Sequence, residues 1–174
     1  MPAPVTCIPS ASQAPSSTGA PADVIATALF GDGAAAAVMQ AKPSANAVAQ
    51  IGGAGEHLWP DTLDIMGWKV DPEGFGVIFA QSIPPFAEAH LGPAVEGILS
   101  RMDLTPADVG RFVCHPGGTK VVAALESALH LPQGSLDHER AVLADYGNMS
   151  APTVLFVLER VIRSEEHTSE LQSH

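Results

Sequence analysis

The sequence predicts an α/β fold, and three observations carry that prediction. Short runs of valine, isoleucine, tryptophan and phenylalanine alternate with longer apolar segments at helical spacing. Glycine-bearing turns separate the two kinds of segment at Gly31-Asp32-Gly33, His115-Pro116-Gly117-Gly118 and Gly147-Asn148. Of the 174 residues 46% are apolar, enough to build a packed core.

The first 19 residues place Pro2, Pro4, Pro9 and Pro15 among serines and alanines. That composition buries too little apolar surface to offset chain entropy, so this leader is expected to lie outside the fold. From Ala20 the pattern changes. Asp23 is expected to cap a short helix through Leu29, and after the Gly-Asp-Gly turn residues 34–39 read as a buried strand. Residues 65–70 and 75–80 flank Asp71-Pro72-Glu73-Gly74, the chemistry of a hairpin turn. Pro84-Pro85 opens a helix carrying Phe86, Ala89, Val95, Ile98, Leu99 and Met102, which Gly92-Pro93 is expected to divide. A short strand over 111–114 then ends at His115-Pro-Gly-Gly118. Helices over 119–129, over 136–145 and, after the stop at residues 146–150, on to Ile162 complete the domain.

Residues 163–174 are polar and lack helical patterning, and they resemble the in-frame translation of a sequencing adapter. They are expected to interrupt the last helix and are set aside for function.

Charge excludes whole classes of partner. Eight lysines and arginines face 19 aspartates and glutamates, a formal net charge of −11 that repels nucleic acid and anionic membranes. The run from Thr153 to Leu158 is too short to cross a bilayer, and no charged segment precedes an apolar one at the N-terminus. A soluble, cytoplasmic protein is expected. Cys7 and Cys114 are the only cysteines, too few for a disulfide framework or a four-thiolate zinc site, and no metal is expected. Gly52-Gly53-Ala54-Gly55 looks like a dinucleotide loop, but Leu58 stands where the third glycine belongs.

His115 and Asn148 are the residues that could carry chemistry. Each lies beside glycine where a regular element ends, the position from which side chains reach a cleft in layered α/β domains. A neutral imidazole and an amide can both donate to one oxygen, which suits an enolate or a tetrahedral oxyanion. Spacing alone leaves open a structural histidine and an ordinary Gly-Asn turn.

Their surroundings are more specific. Leu29-Phe-Gly-Asp-Gly-Ala-Ala-Ala-Ala-Val38, His115-Pro-Gly-Gly118 and Tyr146-Gly-Asn-Met-Ser150 together resemble the C-terminal half of type III polyketide synthases of the chalcone and stilbene synthase family. The resemblance covers residues 20–162 and implies half of a thiolase-like fold, a mixed sheet flanked by helices and incomplete at both ends. It implies a Cys-His-Asn triad in which His115 and Asn148 are the histidine and asparagine. The substrates it implies are an acyl-coenzyme A starter and malonyl-coenzyme A, with no metal or redox cofactor and with a homodimeric parent.

In that family the nucleophilic cysteine lies in the other half, upstream of this chain, so the chain alone is expected to be inactive. Cys114 should face away from its neighbour His115 as a small core residue, and Cys7 lies in the leader. The resemblance further points to substrate contacts at Phe79 as a gatekeeper, with plain core packing as the alternative, at Gly117 and Gly118, at Ser150 in the cavity wall, and at Lys120, which either faces the coenzyme A tunnel or is an ordinary solvated lysine. Ketoacyl synthases of the initiating type share the Gly-Asp-Gly-Ala and Gly-Asn motifs but typically carry Gln-Ala-Asn after the histidine. A non-catalytic half-domain that binds through its exposed core face is the remaining alternative.

Overall fold

A computed structural model describes residues 6–10, 21–42, 47–72 and 74–172. The α/β class holds. Ten elements follow one another as β1 (Thr6–Ser10), α1 (Pro21–Leu29), β2 (Asp32–Ala36), β3 (Met66–Asp71), β4 (Gly74–Phe79), α2 (Ile83–Ser100), a 3₁₀ turn (Pro106–Asp108), α3 (Thr119–Ala128), α4 (Asp137–Tyr146) and α5 (Ala151–Gln172). The described strands form two antiparallel ribbons, β1 with β2 and β3 with β4, and one parallel bridge joins Phe30 to Asn148.

The first ribbon corrects the expectation for the leader, because Thr6 pairs with Ala36 and Ser10 with Asp32. Pro9 stands opposite Gly33 in a two-stranded ribbon, where both strands are edge strands, the setting in which proline is tolerated. The rest of the leader, residues 1–5 and 11–19, lies outside the described residues. Helix α1 starts at Pro21, ahead of the expected cap at Asp23, in keeping with the preset φ of proline at a first helical position. Strand β2 is shorter and wetter than expected: its residues alternate between exposed and half-buried, and Val38 and Met39 beyond it are 81% and 76% exposed.

The hairpin forms as the turn chemistry requires, Met66 opposite Phe79 and Asp71 opposite Gly74. Helix α2 runs unbroken through Gly92-Pro93. It packs along α3, and Ser127 Oγ donates to Glu88 Oε1 at 2.7 Å across the pair, so tertiary contact outweighs the backbone bond that Pro93 cannot make. The glycine-rich segment lies against the end of α2: Gly53 meets Met102, Gly55 meets Ile98, and Arg101 Nη2 donates to Glu56 O at 3.2 Å. It is a packing surface.

Two apolar clusters hold the helices. Val142, Met149, Phe156, Val157 and Val161 join α4 to α5, with Ala35 and Val113 packed on them. Val122, Leu125 and Leu136 form the second cluster, touched by Leu91, Cys114, Val121 and Leu131. Each fully buried aliphatic side chain contributes about 1.5–3 kcal/mol. Residues 111–114 form no strand ladder, since none of the described strands lies alongside to pair with them. They still pass between the clusters with Val113 on one side and Cys114 on the other, the alternation of an extended chain.

Helix α5 also departs from expectation by continuing through residue 163 to Gln172. Arg163 pairs with Glu159 one turn back at 2.7 Å, and Ser164 Oγ donates to Val161 O at 2.8 Å, so the first polar residues support the helix locally. Among the described residues no helix is long and apolar enough to cross a membrane.

Candidate active site

The Gly-Asp-Gly and Gly-Asn motifs, more than a hundred positions apart, form one structural unit. The Asn148 amide donates to Leu29 O at 2.8 Å, and the Gly31 amide donates back to Asn148 O at 3.0 Å. This reciprocal pair requires a very close approach. A methyl group at Gly31 would collide with the Tyr146 carbonyl oxygen, and Gly147 adopts φ +72°, a region that favours glycine.

The Asn148 side chain is 1% exposed and oriented at both ends. Its Oδ1 accepts from the Ser150 amide at 2.8 Å, and its Nδ2 donates to Gly117 O at 3.2 Å. The assignment of oxygen and nitrogen therefore follows from the partners. The third motif is thereby joined to the other two, because Gly117 lies in the turn that opens with His115. One Nδ2 hydrogen remains after the bond to Gly117.

His115 is half-buried at the mouth of this turn, and its carbonyl accepts from the Gly117 amide at 3.0 Å. Burial lowers its pKa, so the ring is neutral at neutral pH and carries one N–H. Nδ1 is buried without a hydrogen-bond partner.

The remaining predicted residues spread around this centre. Gly118 caps α3 with an extended backbone, φ 165°, and a methyl group there would come no closer than 3.9 Å to Leu29 Cδ1. At Gly117 the nearest contact would be Val121 Cγ1 at 3.6 Å. Packing within the chain therefore leaves room for a side chain at both glycines. Lys120 is exposed in the first turn of α3. Ser150 is exposed at φ 62°, and its carbonyl accepts from Thr153 Oγ1 at 2.8 Å, which ties the site to the start of α5. Phe79 lies at the end of β4, where with Ile25, Ala26, Leu29 and Phe30 it lines a cavity of about 20 Å³, room for about one water.

Cys114 is a poor nucleophile. Burial, and then the negative field of Glu139, push its thiol up to about 12. Glu139 is the residue that reading for catalytic types overlooks: fully buried on α4, it accepts the Cys114 amide on Oε1 at 2.9 Å. The available signal was its register, since Glu139 stands three positions from both Leu136, the residue before α4, and Val142, which are buried with it.

Comparison with known proteins identifies the family. The family described as chalcone and stilbene synthases, C-terminal domain, matches residues 50–174. The 1,3,6,8-tetrahydroxynaphthalene synthase of Streptomyces peucetius subsp. caesius is 42% identical over 146 residues, 82% of this chain and 39% of that protein. A putative chalcone synthase of Bacillus subtilis strain 168 is 35% identical over 143 residues, covering 79% of this chain and again 39% of the relative. Among solved structures, the 1,3,6,8-tetrahydroxynaphthalene synthase of Streptomyces coelicolor A3(2), a bacterial type III polyketide synthase, superposes with a TM-score of 0.74 at 27% identity over 82% of this chain and 40% of its own. The chain thus spans about two fifths of the length of these relatives. It belongs to the chalcone and stilbene synthase family and carries that family's C-terminal domain.

Proposed function

We propose that this chain supplies the histidine and asparagine of a type III polyketide synthase whose remaining part supplies the nucleophilic cysteine. The parent transfers an acyl starter from coenzyme A to the cysteine thiolate. The bond between the malonyl α-carbon and its carboxylate then breaks, carbon dioxide leaves, and the electron pair becomes an enolate whose oxygen carries the charge. The enolate carbon attacks the acyl thioester and expels the cysteine thiolate. His115 and Asn148 donate to the enolate oxygen as its charge develops.

The observation that supports this reading most is the clamped Asn148 amide, oriented by Ser150 and directed at the His115 turn. A buried neutral donor held in place stabilises developing charge without reorganising. The room that packing within the chain leaves at Gly117 and Gly118 suits the approach of a pantetheine arm, with Lys120, Ser150 and Phe79 lining the route in this reading. The reading includes a homodimeric, cytoplasmic parent, no metal or redox cofactor, and no turnover of malonyl-coenzyme A by this chain alone. Val38 at 81% and Leu63 at 90% exposure are apolar surface that the rest of such a parent would cover.

The test uses a complete synthase carrying this chain as its C-terminal part. His115→Ala and Asn148→Ala are each expected to lower polyketide formation on the order of 10²–10³-fold. Intact-protein mass should show the starter still loading in the Asn148 variant and loading poorly in the His115 variant. Near-normal turnover in either variant would overturn the assignment.

A further inference from the structure

Among the described residues two buried side-chain polar atoms have no hydrogen-bond partner, His115 Nδ1 and Glu139 Oε2. Their residues meet at Cys114, which Glu139 holds by its amide and which precedes His115 in the chain. A carboxylate with no exposed surface and one unmet oxygen is expensive to keep, and apolar residues of similar size commonly replace such groups without loss. Among the described residues no salt bridge accounts for Glu139, and the cation of α4, Arg140, pairs with Glu126 and Asp137.

We propose that Glu139 is a positioning residue for His115: its buried carboxylate fixes the Cys114 amide and so sets where the His-Pro-Gly-Gly turn leaves the protein interior. The geometry favours this role. Residues 111–114 lack the strand ladder that would otherwise hold an extended segment, and the bond from Cys114 N to Glu139 Oε1 ties the backbone directly before His115 to α4. Val113 and Cys114 grip the two apolar clusters on either side, which restrains the segment laterally. The carboxylate restrains it along its remaining direction. Asn148 then holds the turn two residues after His115 through Gly117 O, so the imidazole is placed between two fixed points contributed by different parts of the chain.

The catalytic meaning of this restraint rests on the function proposed above, but the restraint itself can be tested without turnover. Two variants of the full chain separate reach from charge. Glu139→Gln keeps an acceptor oxygen at the same reach and removes the charge, whereas Glu139→Asp keeps the charge and withdraws the acceptor by one methylene. Hydrogen exchange at the Cys114 amide and the imidazole titration of His115, both followed by magnetic resonance, are the readouts. In the unaltered chain the Cys114 amide should exchange at least about tenfold more slowly than an unprotected amide. Glu139→Asp should erase that protection and move the His115 midpoint up towards the ordinary histidine value. Glu139→Gln should keep both close to the unaltered chain. Loss in the Gln variant with Asp intact, loss in both, or loss in neither overturns the proposal, as does a Cys114 amide unprotected in the unaltered chain. These readouts stay interpretable even if His115 proves dispensable for condensation, so the two ideas can fail separately.

Discussion

Asn148 donates its side-chain amide to the backbone carbonyl of Gly117 at 3.2 Å, a bond that spans 31 positions of sequence and joins the two turns of the site. The same side chain accepts from the Ser150 amide, so its removal strands two backbone groups at once. Asn148→Ala should therefore lower the stability of this chain itself. The expected cost is about 1–3 kcal/mol, or about 2–4 °C of melting temperature for each kcal/mol in a chain of this size. Calorimetry on the purified chain measures it, and an unchanged melting temperature would show that these bonds are readily replaced by water.

Acid should attack the protein at Glu126. This buried carboxylate accepts from the Gly134 and Leu136 amides at 3.0 Å each and from both terminal nitrogens of Arg140 at 2.8 and 2.6 Å. The Arg140 hydrogen bonds, aided by the two backbone amides and opposed by burial, hold its pKa at about 2 against an ordinary 4.5. A depressed folded value means that the stabilisation is present in full above the unfolded value and is lost as pH falls through the folded one. Melting temperature should decline between those two values. Glu126→Gln should melt lower at neutral pH and show a flatter profile through that acid window; a profile as steep as that of the unaltered chain would place the acid sensitivity elsewhere.

Much of this architecture was legible because short-range chemistry dictated it. Asp71-Pro72 and Gly74 specified the hairpin, and helices α3 and α4 fell within one residue of their expected ends because glycine or proline punctuates them. What the sequence concealed was tertiary in origin. Nothing local shows that α2 survives Pro93, since the contact with α3 decides it. Strand β1 was hidden because proline-rich composition argues against order, while pairing with β2 depends on a partner more than twenty residues away. At the site, His115 and Asn148 stood out by residue type and position. Glu139 did not, because an acidic residue on a helix is ordinarily solvated and only its register placed it inside.

Cys114 should resist alkylation despite lying beside His115. With its thiol pushed up to about 12, on the order of one molecule in ten thousand is thiolate at pH 8. In a Cys7→Ser background, iodoacetamide should label the native chain slowly, with a rate that climbs about tenfold per pH unit, and should label the urea-unfolded chain rapidly. Labelling of the native form at the unfolded rate would mean that Cys114 is open to solvent. It would then re-enter consideration as a reactive group.

Three glycine-to-alanine changes should sort by what the new methyl meets. At Gly97, inside α2, nothing lies within 4 Å, so alanine should stabilise the chain by about 0.5–1 kcal/mol through helix propensity and a less entropic unfolded state. At Gly33 the methyl meets the Met149 side chain, whose thioether can turn aside at moderate cost. At Gly31 it meets the backbone oxygen of Tyr146, which no rotamer change can move. Relief there requires the segment of residues 29–31 to part from residues 146–148, breaking the bonds between Asn148 N and Leu29 O and between Gly31 N and Asn148 O. Gly31→Ala should therefore be the most destabilising of the three, and it alone should displace Asn148 from Gly117. If Asn148 is the donor proposed above, that displacement in a complete synthase should lower decarboxylation of malonyl-coenzyme A more than starter loading. Melting temperatures that place Gly31→Ala level with Gly97→Ala would show that the two motifs do not pack as one unit.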